Sequence, residues 1–385
     1  MNAKTSGEQL EFPCVVMCGG TSKALFFHSS DLPLEREARD QLLKRAMGTP
    51  DILQLDGMGG STLSTSKVAI ISRSSRADAD VDYTFVQVEV ARDSVGYDGN
   101  CGNTAAAVGP FAIDEGLVPA IEPMTTVRIF NTNTNQVLVA RVPVRNGKAR
   151  VLGDCAIAGV PGTGAEILMD YSATVGSRTG KLLPTGNAVD SITLEDGRTI
   201  EVTVCDVANP CVFVEASHLG ATGTELPRVI VSDKQLMGSM AELRGKVGQL
   251  LGFWPDWKAK DLPAMPMLVL VAAPVGHVAI DGSMLDASSM DLCARLMYLD
   301  QCHSSLAGTG TICLAAASRI EGSVVHRTVA PKAASEPQVR IGHPSGVTDV
   351  RVEPGRNASD IPFNALGFAR TARRLMAGTV CVPSH

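Results

Sequence analysis

The stretch DGNCGNTAAAVG, residues 98–109, decides the fold predicted for this chain. A cysteine lies among glycines and asparagines, and the small residues that follow are typical of a thin, enclosed helix. We expect Asn100 to cap this helix and Cys101 to lie at its entrance. The unpaired N–H groups and the dipole of a first helical turn favour an anion and lower the pKa of a thiol. The stretch therefore predicts an enzyme site for a carboxylate substrate; the alternative is a buried structural cysteine beside a tight turn.

A second stretch has the same pattern. Ala307-Gly308-Thr309-Gly310-Thr311 precedes the apolar, alanine-rich run 312–317. Short predicted strands flank both stretches, so each helix is expected inside its own curved sheet. Two helix N-termini that face one cleft could hold the carboxylates of one substrate between them. Coincidence is the alternative, because strings of Gly, Ala and Thr are common.

Length and composition exclude several classes of function. The 385 residues predict two domains, and a net charge of −6 with 4% aromatic residues argues against a nucleic-acid partner. Ten cysteines occur without a C-x-x-C motif or nearby clusters of histidine, which indicates neither a metal site nor a disulfide framework. Apolar runs are too short or too interrupted to span a membrane, and the first residues lack a signal-peptide pattern. A cytoplasmic location is therefore expected.

Local patterns predict the elements around the two stretches. Strands are expected at 12–17, 68–72, 83–90 and 267–272, and helices at 35–47, over most of 227–251 and, as a closing helix, at 368–376. The loop Pro184-Thr185-Gly186 marks the expected domain boundary. The N-terminal domain then comprises residues 1–184 plus 364–385, and the C-terminal domain comprises residues 185–363.

Six separated segments resemble the PrpF family, within the diaminopimelate-epimerase-like fold. They are Gly19-Gly20-Thr21-Ser22-Lys23, Ser64-Thr65-Ser66-Lys67-Val68-Ala69, Gly99-Asn100-Cys101-Gly102-Asn103, Gly308-Thr309-Gly310-Thr311, His343-Pro344-Ser345-Gly346 and Arg370-Thr371-Ala372-Arg373-Arg374. The segments follow the family order along essentially the whole chain. The resemblance implies an α+β fold of two similar domains, each a curved, mostly antiparallel sheet around a central helix, with the site in the cleft between them.

The resemblance also implies an activity. Members of this family isomerise unsaturated di- and tricarboxylates such as 4-oxalomesaconate, 2-methylaconitate, aconitate and methylitaconate, without a metal or an organic cofactor. The expected partner is therefore a small polycarboxylate, and a homodimer is possible. A second reading, a non-catalytic accessory protein that binds such acids for an iron–sulfur dehydratase, stays open.

Three positions depart from related patterns. Diaminopimelate epimerases carry a cysteine at each helix entrance, whereas the second entrance here is Ala307, which disfavours a two-thiol racemase. The family's opening motif usually begins Arg-Gly-Gly and ends Ser-Lys-Gly, but this chain has Cys18 and Ala24 at those places. The exact substrate therefore does not follow from the resemblance.

The predicted chemistry moves a double bond by one carbon. One C–H proton leaves, another arrives, and the site must stabilise a dienolate between the two steps. The positions that match the family's lysine and cysteine are Lys67 and Cys101, which we predict as the catalytic pair without assigning their order. Lys67 qualifies if desolvation favours its neutral amine; otherwise it is an ordinary lysine at a strand end.

Further residues are predicted to bind the substrate. They are Ser22, Lys23, Gly102, Asn103, His303, Thr309, Gly310, Thr311, Ser345 and Gly346. His277 is expected to pack rather than to act. The glycine-rich turn 56–60 lacks the spacing of a phosphate-binding loop.

Overall fold

The computed structural model describes residues 4–259, 262–355 and 363–384. The chain divides into two compact units: unit 1 is Met1–Met169 with Arg370–His385, and unit 2 is Asp170–Ala369. In this division the boundary predicted after residue 184 falls inside unit 2. Residues 356–362, beside the second predicted boundary, lie outside the described residues. The predicted domain limits therefore stay a prediction.

The elements follow one another in chain order. The strands are β1 (Lys4–Ser6), β2 (Gln9–Gly19), β3 (Ser22–His28), β4 (Lys67–Arg73), β5 (Val81–Val88), β6 (Val95–Gly96), β7 (Met124–Asn131), β8 (Gln136–Arg145), β9 (Lys148–Ala149), β10 (Ile167–Asp170), β11 (Asp190–Thr193), β12 (Thr199–Val207), β13 (Asn209–Glu215), β14 (Met267–Ala272), β15 (His277–Val278), β16 (Met284–Leu285), β17 (Leu292–Tyr298), β18 (Gln301–Cys302), β19 (Gln338–His343), β20 (Gly346–Pro354), β21 (Phe363–Arg370) and β22 (Ala372–Pro383). The α-helices are α1 (Arg36–Met47), α2 (Gly102–Asp114), α3 (Pro227–Ser232), α4 (Lys234–Leu250), α5 (Gly308–Ala317) and α6 (Val324–Thr328).

Unit 1 is a curved sheet around α2. The strands pair in the order β22–β2–β3–β4–β5–β7–β8; β3/β4 and β5/β7 are parallel and the other pairs antiparallel. Helix α2 lies against all seven strands, and its residues Gly102–Ile113 are buried. Small side chains such as Ala105 and Ala106 permit this enclosure, because they let the strands approach the helix on every side.

The opposite face of the same sheet carries α1. Glu35 caps this helix through the N–H groups of Glu37 and Ala38, and Gly48, with φ of 78°, ends it. The apolar side of α1, including Leu43 and Met47, packs with sheet residues in one buried cluster. Every second residue of β2 packs in this cluster, as expected for a strand that is covered on both faces.

Unit 2 repeats the arrangement. Its strands pair in the order β11–β12–β13–β14–β17–β19–β20–β21, with β13/β14 and β17/β19 parallel and the other pairs antiparallel. Helix α5 is buried along its whole length and lies against β12, β13 and β20. Helix α4 packs its apolar side, including Met240 and Leu243, into a separate buried cluster. The predicted α+β architecture, with a sheet around a central helix, is thus confirmed for each unit.

The closing helix predicted at 368–376 is wrong. These residues lie at the end of β21, at Thr371 and at the start of β22, and β22 pairs antiparallel with β2 from the opposite end of the chain. Backbone pairing with a distant strand overrides the local apolar spacing that suggested a helix. The helices predicted at 35–47 and 227–251 are present as α1 and as α3 with α4.

Candidate functional site

Cys101 lies at the entrance of α2 and caps it. Its backbone is extended, with φ −109° and ψ 103°, and its Sγ accepts a hydrogen bond from the Thr104 N–H at 3.5 Å. The predicted cap Asn100 is therefore wrong by one residue. The Thr104 hydroxyl also donates to Sγ at 3.2 Å, and Ser22 Oγ lies 3.8 Å from it. Cys101 as a residue is partly exposed.

The electrostatic surroundings of this thiol favour the thiolate. Burial by itself opposes ionisation, but the positive charge of Lys67 and the hydrogen bonds from Thr104 and Ser22 outweigh it. The pKa of Cys101 is therefore lowered from its ordinary value. Lys67 therefore lies close enough to Cys101 within unit 1 to act on its thiol electrostatically.

Lys67 is the first residue of β4, and only 8% of it is exposed. Its ammonium donates to Gln87 Oε1 at 2.7 Å and lies 5.0 Å from the centre of the Phe85 ring. An ordinary lysine at a strand end keeps its charge in water, since an almost fully buried lysine is rare. The burial of Lys67 thus argues for a specific role.

The turn between β2 and β3 is shaped around Asn103. A Cβ at Gly20 would lie 2.2 Å from Asn103 Oδ1, and Gly20 has a φ of 50°, a region that favours glycine. The Asn103 amide donates to Thr21 Oγ1 at 3.0 Å and accepts from Arg370 Nε at 2.9 Å. Asn103 and Arg370 are both buried, so the amide is held in one orientation beside the helix entrance.

The other candidates of unit 1 lie around the same entrance. Ser22 is buried at the start of β3, next to Sγ of Cys101, and Gly102 is the first residue of α2. Lys23 is partly exposed, and its N–H donates to Ser64 O at 2.9 Å in the loop that leads to β4. The structure therefore brings Ser22 and Gly102 to the Cys101 thiol, while Lys23 contacts the loop before β4 through its backbone N–H.

Four residues of this site were not predicted: Thr21, Gln87, Thr104 and Arg370. Thr21 and Arg370 lie in segments that carry the family resemblance, which was the available signal. Gln87 and Thr104 gave no signal, because their roles arise from strand register and from the turn of the helix.

The candidates of unit 2 lie around the entrance of α5. Thr309 Oγ1 accepts from Asn209 Nδ2 at 2.8 Å, and the Thr311 hydroxyl donates to Ala307 O at 3.0 Å. A Cβ at Gly310 would lie 2.2 Å from Leu296 Cδ1, so close packing requires this glycine. All three residues are buried.

The loop before α5 meets the turn 343–346 within the same unit. Ser345 Oγ donates to Ser304 O, and the Ser305 N–H donates to His303 Nδ1 at 3.0 Å. Gly346, with φ of 135°, begins β20. His277 is buried, as predicted, with Nδ1 2.8 Å from Val275 O.

No group of three or more His, Cys, Asp or Glu side chains among the described residues could hold a metal ion. None of the helices that the structure describes is long and apolar enough to cross a membrane.

Comparison with known proteins agrees with this architecture. The model of the PrpF protein family matches residues 9–383. The chain belongs to the PrpF family. The 3-methylitaconate isomerase of Eubacterium barkeri is 46% identical to this PrpF-family chain over 97% of it and 98% of the relative. The 4-oxalomesaconate tautomerase of Pseudomonas putida is 37% identical, covering 97% of each chain.

A solved structure extends the comparison to the fold. The crystal structure of methylitaconate-delta-isomerase aligns with a TM-score of 0.80 at 45% identity, covering 98% of this PrpF-family chain and 97% of that one. This match confirms the epimerase-like α+β fold predicted from the sequence. With relatives of this similarity named isomerases and tautomerases, the protein is an isomerase.

Proposed function

We propose that this isomerase catalyses a 1,3-allylic proton shift in an unsaturated polycarboxylate, with 3-methylitaconate as the first candidate substrate. The observation that carries the proposal is a buried amine, Lys67, whose charge lowers the pKa of a thiol at a helix entrance. The choice of substrate rests on the 46% identity with the 3-methylitaconate isomerase. 4-Oxalomesaconate, 2-methylaconitate and aconitate follow as candidates, and a cis–trans outcome is included for substrates whose alkene geometry permits it.

The substrate's structure explains why two acid–base groups are needed. In 3-methylitaconate one C–H bond adjoins both a carboxylate and the alkene, so its removal leaves a delocalised dienolate. Return of a proton at the far end of the alkene converts the methylene into a methyl group. One proton leaves and one arrives, so no oxidant or reductant takes part. The N–H groups at the start of α2 stabilise the negative charge in between.

The amine and the thiol divide the proton transfers. In the proposal one of Lys67 and Cys101 removes the proton and the other delivers the new one, with the order left open. A lowered thiol pKa makes the thiolate more accessible than in an ordinary cysteine, so the sulfur can remove a proton and, once protonated, deliver one. No step passes through a metal or an organic cofactor.

Substrate binding is assigned to the remaining predicted residues. Hydrogen-bond donors suited to a carboxylate are the Ser22 hydroxyl, the Lys23 ammonium, the Gly102 N–H and the Asn103 amide. The proposed unit 2 contribution consists of His303, Thr309, Gly310, Thr311, Ser345 and Gly346.

The location and assembly of the protein are part of the proposal. All ten cysteines are free, which suits a reducing cytoplasm. A homodimer is kept as the proposed assembly, to be tested by light scattering.

The first experiment asks whether the purified protein turns over any of the four acids. Proton NMR follows each acid in turn, and we expect a new methyl signal to grow as the methylene signals of 3-methylitaconate fall. Binding without turnover, measured by calorimetry, would support the accessory-protein reading instead. No change in any of the four acids, together with no binding, would contradict both readings.

A further inference from the structure

We propose that Gln87 is a positioning residue, which holds the Lys67 amine beside Cys101 with a neutral acceptor so that the amine can exchange a proton. This inference rests on the proposed function. Gln87 lies on β5 and contacts Lys67 of the proposed catalytic pair. We predict that full activity requires a side chain without negative charge at this position.

The orientation of the Gln87 amide is fixed by its neighbours. Its Nε2 donates to three backbone carbonyls, those of Ser66 at 2.9 Å, Leu63 at 3.3 Å and Val88 at 3.4 Å. Carbonyl oxygens only accept hydrogen bonds, so the nitrogen must face them and Oε1 must face the other way. That oxygen accepts from the Lys67 ammonium at 2.7 Å. An amide flip would break these bonds together.

The carbonyls that fix Gln87 belong to a braced segment. Gln54 donates to Ser66 Oγ at 2.7 Å, and Gln54 is itself buried. Lys67 also pairs directly with Gln87 in the antiparallel register of β4 and β5. The amide is therefore held by two strands and a loop before any substrate arrives, which is the arrangement that precise positioning of a reacting group requires.

The charge of the acceptor decides what the lysine can do. Gln87 is 2% exposed and Lys67 8% exposed, yet within the described part of the chain no carboxylate lies within ion-pair distance of the ammonium. A buried lysine is normally paired with an acid. A carboxylate at position 87 would hold the ammonium as an ion pair and oppose loss of its proton. A neutral amide holds the Lys67 nitrogen in the same place without opposing the loss of its proton.

The groups that face Lys67 from the packed elements are few. Strand β3 presents Ala24 opposite it, and β5 presents Gln87 and Phe85. The start of α2 presents Cys101, a titratable group whose pKa Lys67 lowers. A charge introduced at position 87 therefore acts on the amine and, through it, on this thiol.

The test compares Gln87→Glu with Gln87→Met, and uses Gln338→Glu, at the exposed first position of β19, as a control for the same change of charge. For Gln87→Glu we expect kcat at neutral pH to fall about 10²-fold with KM within about threefold. The pH of half-maximal kcat should rise by about one unit or more. Gln87→Met, which fits the same space, should lower kcat about tenfold without that rise. Gln338→Glu should match the wild type.

A second readout needs no turnover. The rate at which iodoacetamide modifies Cys101, followed by peptide mass spectrometry against pH, should have a higher midpoint in Gln87→Glu than in the wild type, because the new carboxylate offsets the charge of Lys67. Wild-type kcat in both Gln87 variants, or an unmoved alkylation midpoint in Gln87→Glu, would overturn the inference. If wild-type protein isomerises none of the acids, the proposed function fails, and the alkylation midpoint still decides the role of Gln87.

Discussion

The two helix entrances of this protein share one backbone arrangement but carry different side chains. In unit 1, β4 begins with Lys67 and α2 is capped by Cys101. In unit 2, β14 begins with Met267 and α5 is preceded by Ala307, which makes no side-chain cap. Both units place a parallel strand pair and then an enclosed helix in the same order. The shared backbone arrangement therefore provides two helix N-termini. The side chains at each one determine whether it has groups that can exchange protons.

The second entrance is built for packing. Met267 is 1% exposed, and the Thr311 hydroxyl donates back to the carbonyl of Ala307. Neither Met267 nor Ala307 can gain or lose a proton. Both units thus enclose a thin helix in a sheet, whereas an amine beside a thiol is a feature of unit 1.

The largest effect is expected when the amine of unit 1 is replaced by the residue type of unit 2. Lys67→Met should lower turnover by as much as about 10⁴-fold, since a proton-transfer group is lost. Steady-state rates measured by NMR, with circular dichroism to verify folding, check this. Met267→Leu at the corresponding strand start is the control and should turn over at the wild-type rate. A fully active Lys67→Met variant would contradict the proposed mechanism.

Replacing the thiol comes next. Cys101→Ala gives the first entrance the residue of the second, and we expect turnover to fall about 10²–10³-fold, since one proton-transfer partner is lost. Cys101→Ser should restore the cap of α2, seen as recovered thermal stability, without restoring the rate. Equal rates for wild type and Cys101→Ser would show that the low pKa of the thiol is irrelevant to catalysis.

A third change tests the turn that surrounds Asn103. In Gly20→Ala the added Cβ would lie 2.2 Å from Asn103 Oδ1, in a backbone region that disfavours alanine. The free energy of unfolding should fall by about 1–3 kcal/mol, and kcat/KM should drop about tenfold. Gly310→Ala is the matched variant of unit 2, with its Cβ 2.2 Å from Leu296, and should lose similar stability. Denaturant titration of both variants measures this, and an unchanged Gly20→Ala variant would refute it.

The smallest effect is expected from adding a thiol to the second entrance. The strand start of unit 2 that corresponds to Lys67 is Met267. The thiol of Ala307→Cys should therefore become a thiolate at higher pH than Cys101, whose pKa is lowered by Lys67. Peptide-level alkylation against pH compares the two sites in one sample. Turnover should stay within about twofold, because a thiol alone supplies no proton relay. Equal midpoints would mean that the helix entrance, and not Lys67, sets the pKa of Cys101.

Sequence patterns predicted part of this architecture. The glycine turns and alanine-rich runs located both enclosed helices, because a thin helix that is apolar on all sides must be surrounded. The helix predicted at 368–376 is wrong, since the partner of β22, strand β2, lies at the other end of the chain and local spacing does not reveal such pairing.

The candidate site was likewise predictable only in part. Resemblance to a family predicted Lys67 and Cys101 as the catalytic pair, and their roles stay a prediction. The shift of the cap from Asn100 to Cys101 is within the usual uncertainty of helix ends. The sequence could not identify Gln87 as a site residue, because it is one polar residue in a mostly apolar strand. Its position opposite Lys67 depends on the register of β4 and β5, which single-chain patterns do not fix.

The most direct test of the central claim is the fate of hydrogen at carbon. Wild-type protein, Lys67→Met and Cys101→Ala are each incubated with 3-methylitaconate in deuterated water, and proton and deuterium NMR follow the substrate and product. We predict that the wild type incorporates solvent deuterium into the new methyl group and that both variants lose this incorporation together with isomerisation. Isomerisation and deuterium incorporation that persist without the amine and the thiol would contradict the claim that this pair moves the proton.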